Sequence, residues 1–100
     1  MKKIESAKFR TWLQNLKDNR GRARIVARIN RLLEGLPGDV APVGQGVSEL
    51  RIHHEPGYRV YFHQQGSTLL ILLCGGDKGS QGRDIEAAQK MLAAWRAQHD

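Results

Sequence analysis

Cysteine is nearly absent. Cys74 stands alone in 100 residues, which excludes an intrachain disulfide framework and any cysteine-based zinc cluster. Long apolar runs are also missing. The longest, Leu69-Leu70-Ile71-Leu72-Leu73-Cys74, falls far short of the roughly 20 residues that span a bilayer. The opening Met1-Lys2-Lys3-Ile4-Glu5-Ser6 has no apolar stretch of the secretory kind, so a reducing cytoplasm is the expected compartment. There is no nucleophile elbow, no G-x-x-x-x-G-K-S/T loop and no G-x-G-x-x-G after a strand. His53 and His54 are neighbours, so in a strand they point to opposite faces and ligate one ion poorly. His63 and His99 have no partner at ligand spacing. Neither a metal nor a cofactor is expected.

Acidic residues are scarce in the first third. Residues 1–34 hold ten Lys and Arg against three acids, whereas 35–70 carry two against three and 71–100 four of each. The whole excess of +6 therefore sits in the first third. Such a patch suits a polyanion, either nucleic acid or an acidic protein. A merely solubilising face is the alternative. Forty per cent hydrophobic and 26% charged residues describe one globular domain over residues 1–100, without repeats, low-complexity segments or a linker.

Periodicity gives the elements. Lys2–Glu5 reads as a short edge strand. Phe9, Trp12, Leu13 and Leu16 mark one helical face, with Ser6 as N-cap. Asp18-Asn19-Arg20-Gly21 reads as the turn that ends this helix. A second helix carries Ile25, Ile29, Leu32, Leu33 and Leu36 on its apolar face, with Arg24, Arg28 and Arg31 as a stripe about 100° away. It stops at Gly35-Leu36-Pro37-Gly38. So short a connection predicts an antiparallel helical hairpin. Val47–His53 and Tyr58–His63 alternate as strands, and Leu69–Cys74 reads as a central strand covered on both faces. Ile85, Ala88, Leu92 and Trp95 mark a last helix, capped by Ser80 or Asp84. The expected fold is α+β, (β)ααβββα: an antiparallel sheet, a helical hairpin on one face and a C-terminal helix.

Strand alternation sorts the side chains. With Leu50, Ile52, Tyr58, Val60 and Phe62 facing the helices, the other face presents Glu49, Arg51, His53, Arg59, Tyr61 and His63. That is a mostly cationic surface; cross-strand pairs such as Glu49 with an arginine are its plainer explanation. Gly75-Gly76-Asp77-Lys78 lies between strand and helix. It suits a phosphate cradle or simply a tight helix entry. Cys74, Trp12, Trp95 and Phe9 read as core.

The blocks Val43-Gly44-Gln45-Gly46-Val47-Ser48-Glu49-Leu50-Arg51-Ile52, Pro56-Gly57-Tyr58-Arg59-Val60-Tyr61-Phe62 and Leu72-Leu73-Cys74-Gly75-Gly76-Asp77-Lys78, in this order, resemble the phage-derived, HigB-like addiction-module killer proteins of the RelE/ParE toxin superfamily. Trp12-Leu13, Arg28–Leu32, Gly38-Asp39-Val40, Gln81, Asp84-Ile85 and Ala88 extend the resemblance over nearly the whole chain. Glu55 stands where the family usually has glycine, and Gly79 where it usually has serine or a similar residue. The resemblance implies a RelE/ParE-like fold and the toxin of a type II toxin–antitoxin system, which arrests growth. RelE and HigB relatives are mRNA interferases, endoribonucleases that cut mRNA on the ribosome without a metal. ParE relatives poison DNA gyrase without catalysis. A nucleic-acid-binding module without toxicity is a third reading.

For mRNA cleavage the resemblance implies a phosphate clamp at Arg59, a second cation at Arg51 and a third at Lys78. His53 or His54 serves as acid or base. Alternation favours His53, and a bulge at Glu55-Pro56 reverses that choice. Tyr61 stacks on a base or orients the 2′-OH. Arg24, Arg28 and Arg31 join Arg51, Arg59 and Lys78 as the expected nucleic-acid contacts. The expected partners are a cognate antitoxin, with a helix-turn-helix domain and encoded adjacently, and the ribosome with its mRNA, or else gyrase.

Overall fold

The computed structural model describes residues 1–99. Strand β1 (Lys2–Glu5) leads into α1 (Ala7–Asn15). Ser6 caps α1 as expected, its hydroxyl accepting the Phe9 N–H at 2.9 Å. The next helix, α2 (Asn19–Leu33), starts earlier than expected. Asp18 is its N-cap, accepting the Gly21 N–H at 2.9 Å, so Asn19-Arg20-Gly21 form its first turn rather than a loop. Asp, like Asn, satisfies a helix's orphan donors as readily as it makes a turn, which is why the segment misleads. Ile25, Ile29 and Leu32 are buried, while Leu36 lies outside the helix and is half exposed.

A strand unforeseen in the sequence follows, β2 (Val40–Gly44), then β3 (Val47–Arg51), β4 (Arg59–Gln65) and β5 (Leu69–Gly76). A single 3-10 turn (Lys78–Ser80) precedes α3 (Gln81–His99). The cap at this entry is Asp77, not Ser80 or Asp84. The architecture is α+β with a five-stranded sheet, ordered β1-β5-β4-β3-β2. Three of its pairings are antiparallel, but β1 runs parallel to β5. The expectation of a wholly antiparallel sheet fails at that edge. A hairpin forces antiparallel pairing, and β1 meets β5 only after most of the chain has intervened.

Both faces are covered. On one, Phe9 of α1 and Ile25, Ile29 and Leu32 of α2 pack on Leu50, Ile52, Tyr58, Val60, Phe62, Leu70 and Leu72. On the other, Ala88 and Leu92 of α3 pack on Val47, Tyr61, Ile71, Leu73 and Cys74. β5 is buried on both faces, as its uninterrupted apolar run predicts, although it lies one strand in from the edge. Cys74 is core; burial pushes its thiol up to about 11, so it stays protonated at neutral pH. Among the described residues no helix is long and apolar enough to cross a membrane.

Candidate functional site

The sheet face that carries Arg51, Arg59 and Tyr61 is not open. α3 closes most of it, and Tyr61 and Glu49 are completely buried. The end where β3 passes to β4 stays accessible. There Arg51 and Arg59 sit directly opposite each other in the antiparallel register, with Glu49 opposite Tyr61. Glu49 gathers the group. Its Oε1 accepts from Arg51 Nε at 2.9 Å and from Arg59 Nη1 at 3.1 Å. Its Oε2 accepts from the Tyr61 hydroxyl at 3.0 Å and from Gln81 Nε2 at 2.9 Å.

Burial disfavours the Glu49 carboxylate, but the hydrogen bonds from Arg51, Tyr61 and Gln81 and the charge of Arg59 outweigh it, leaving its pKa below the usual value. The Tyr61 phenol is pushed far upward, by burial first and then by Glu49. Tyr61 is therefore a neutral, buried donor. It does not reach the cleft, and neither base stacking nor orientation of a 2′-OH falls to it.

A cleft of about 470 Å³ opens over this cluster, lined by Arg51, Ile52, His53, His54, Glu55, Pro56, Gly57, Tyr58, Arg59 and Lys78. Five of the six catalytic candidates thus line one cavity, of the size ligand sites usually have. The side chain of Arg51 is 40% exposed and that of Arg59 15%. One shared carboxylate faces both, and Asp39 adds a second at 3.5 Å from Arg51. Lys78 enters from the 3-10 turn that Asp77 caps. The Gly75-Gly76 pair upstream of it is explained by packing. A Cβ on Gly75 would lie 2.3 Å from the Trp12 ring, and one on Gly76 would meet the Asp84 carboxylate.

The two histidines differ from expectation. β3 ends at Arg51, the ladder reaches only from Ile52 N–H to Tyr58 C=O, and the chain then turns over His54–Gly57. Strand alternation therefore does not extend to His53. Its ring is 76% exposed and pairs through Nε2 with Asp39 at 2.7 Å. His54 is more enclosed. Its Nε2 lies 3.1 Å from Asp18 Oδ2, and its ring lies nearly parallel to Tyr58, 15° apart. Tyr58 also donates to Asp18, at 3.0 Å.

Arg24, Arg28 and Arg31 line a second groove of about 220 Å³ that shares Ile52 and His53 with the cleft. Arg24 and Arg31 are exposed. Arg28 is a strut instead, donating to Arg51 C=O at 2.9 Å and Pro37 C=O at 3.2 Å. The pairing of Glu49 with an arginine across the strands was legible as the plainer reading of this face; the roles of Asp18 and Asp39 were missed, and a helix-capping pattern at Asp18 was the local signal for the first.

Two comparisons bear on this arrangement. The family model described as "Phage derived protein Gp49-like (DUF891)" matches residues 11–97. An uncharacterized protein of Haemophilus influenzae is 52% identical over 85 residues, which is 85% of each chain.

Proposed function

The chain belongs to the phage-derived Gp49-like family, and from that membership and the cleft we propose that it is the toxin of a type II toxin–antitoxin system that cuts mRNA on the ribosome. This reading places it with the HigB-like killer proteins and gives its fold the RelE/ParE topology, with α1 and α2 as a helical hairpin. One observation carries it: Arg51 and Arg59 converge on one buried carboxylate and line a single cleft with Lys78 and two histidines.

The chemistry is metal-free transesterification. The 2′-oxygen attacks the adjacent phosphorus, the O2′–P bond forms and the P–O5′ bond breaks. A base takes the 2′-OH proton, and an acid returns one to the leaving 5′-oxygen. The products are a 2′,3′-cyclic phosphate and a 5′-OH. Arg59 clamps the phosphate. Its Nη1 is held by Glu49, and its buried Nε has no partner among the described residues. Arg51 and Lys78 add charge where the phosphorane builds it, usually the largest single contribution to catalysis. An imidazole moves the protons, worth about 10²–10⁴-fold. Arg24 and Arg31 extend the cationic surface toward rRNA or the mRNA strand.

Induced expression without antitoxin should arrest growth. Arg59→Ala should restore growth while still binding the antitoxin, which is expected to be helix-turn-helix and encoded adjacently. An Arg59→Ala variant that stays fully toxic and inhibits supercoiling by purified gyrase would move the target to gyrase. Unimpaired growth of cells expressing the unaltered chain would leave a binding module without toxicity.

A further inference from the structure

We infer that Asp18, the N-cap of α2, is a positioning residue for His54, holding the imidazole as the Nε2–H tautomer so that Nδ1 is the nitrogen that exchanges protons in the cleft. The inference rests on the nuclease reading and names a residue outside the sheet-end cluster.

Asp18 uses both carboxylate oxygens. Oδ1 accepts the Gly21 N–H at 2.9 Å; Oδ2 accepts the Tyr58 hydroxyl at 3.0 Å and lies 3.1 Å from His54 Nε2. The Gly21 amide and Tyr58, and after them His54, hold this carboxyl below its usual range against the opposing effect of burial. It is ionised at neutral pH and can only accept. His54 Nε2 must therefore carry the proton that joins them. Nδ1 then bears the lone pair, on a residue that lines the cleft. The ring is held from the side as well, by near-parallel Tyr58. Tyr58 is itself wedged edge-on against Trp12. His53 lacks this restraint: its ring is mostly exposed, and Asp39 is shared with Arg51. A carboxylate that fixes the tautomer of a catalytic imidazole acts through geometry, and its amide analogue inverts the tautomer without moving the ring.

Asp18→Asn provides the test. The Gly21 N–H keeps the amide oxygen turned toward the helix, and asparagine caps as well as aspartate, so α2 stays intact. The amide nitrogen then donates to Nε2, which drives the ring proton to Nδ1. Imidazole ¹⁵N shifts, recorded at a pH where the ring is neutral, should show Nε2–H for the unaltered chain and Nδ1–H for Asp18→Asn. Ribosome-dependent mRNA cleavage by Asp18→Asn should fall about 10²–10⁴-fold in kcat with KM little changed. Combining it with His54→Ala should cost nothing beyond His54→Ala alone. If the chain cleaves mRNA and Asp18→Asn retains its full rate, or if the unaltered ring is Nδ1–H, the role of Asp18 is overturned and the nuclease reading stands. If the Nε2–H tautomer is found in a chain that cuts no mRNA, the nuclease reading falls and takes the proton-transfer role with it.

Discussion

Two guanidiniums placed directly opposite each other on neighbouring strands repel, and Glu49 is what allows Arg51 and Arg59 to hold that register. The same residue makes the fold sensitive to acid. The folded pKa of Glu49 lies below its usual 4.5 and that of Asp18 below 3.8. Their contributions are complete above those ordinary values and are lost as pH falls through the folded ones. Tyr58 and Tyr61 work oppositely. Burial first, and then bonding to Asp18 and Glu49 respectively, raise both above the ordinary 10.0. Stability is therefore lost as pH climbs above that value. Melting temperature should plateau near neutrality and fall on both sides, and Glu49→Gln should flatten the acid limb. Glu49→Ala should cost about 3–5 kcal/mol in urea unfolding, since it strands the Arg59 charge and a buried phenol. The sequence placed Glu49, Arg51, Arg59 and Tyr61 on one face correctly, because alternation fixes faces. It did not disclose which of them α3 would cover, since covering is a tertiary event.

At the scale of elements, turns carry the site: Lys78 arrives on a one-turn helix and His54 on a tight turn. Gly75 governs how closely β5 approaches α1. Gly75→Ala would drive a methyl into the rigid Trp12 ring and should destabilise by about 1–3 kcal/mol in chemical denaturation. Gly82 in α3 has open space around it, so Gly82→Ala should be neutral or stabilise by up to about 1 kcal/mol. Long periodic segments such as α3 and β5 were legible because burial imposes their period. β2 was not, for two reasons. Pro42 removes a ladder donor and argues against a strand, though an edge tolerates it. The two-residue Gln45-Gly46 turn, with positive φ at both positions, lacks the usual Asn-Gly signature. Alternation does not decide between the histidines for a related reason. The ladder stops one residue after Arg51, and a face rule has no force beyond it.

At the scale of the whole molecule, positive charge is concentrated along α2. α2 carries five arginines and no acid between Asn19 and Leu33, and its groove adjoins the cleft through Ile52 and His53. A polyanion seated in the cleft would find further cations beside it, and the association would weaken with salt. The count along the chain revealed that asymmetry; only the fold shows that Arg28 is spent on holding Arg51 and Pro37. The most direct measurement is the end chemistry of mRNA recovered from a cell-free translation reaction to which the purified protein is added. Fragments ending in 2′,3′-cyclic phosphate, paired with 5′-OH ends and absent with Arg59→Ala, are the expected result. Intact mRNA, or fragments that persist with Arg59→Ala, would contradict it.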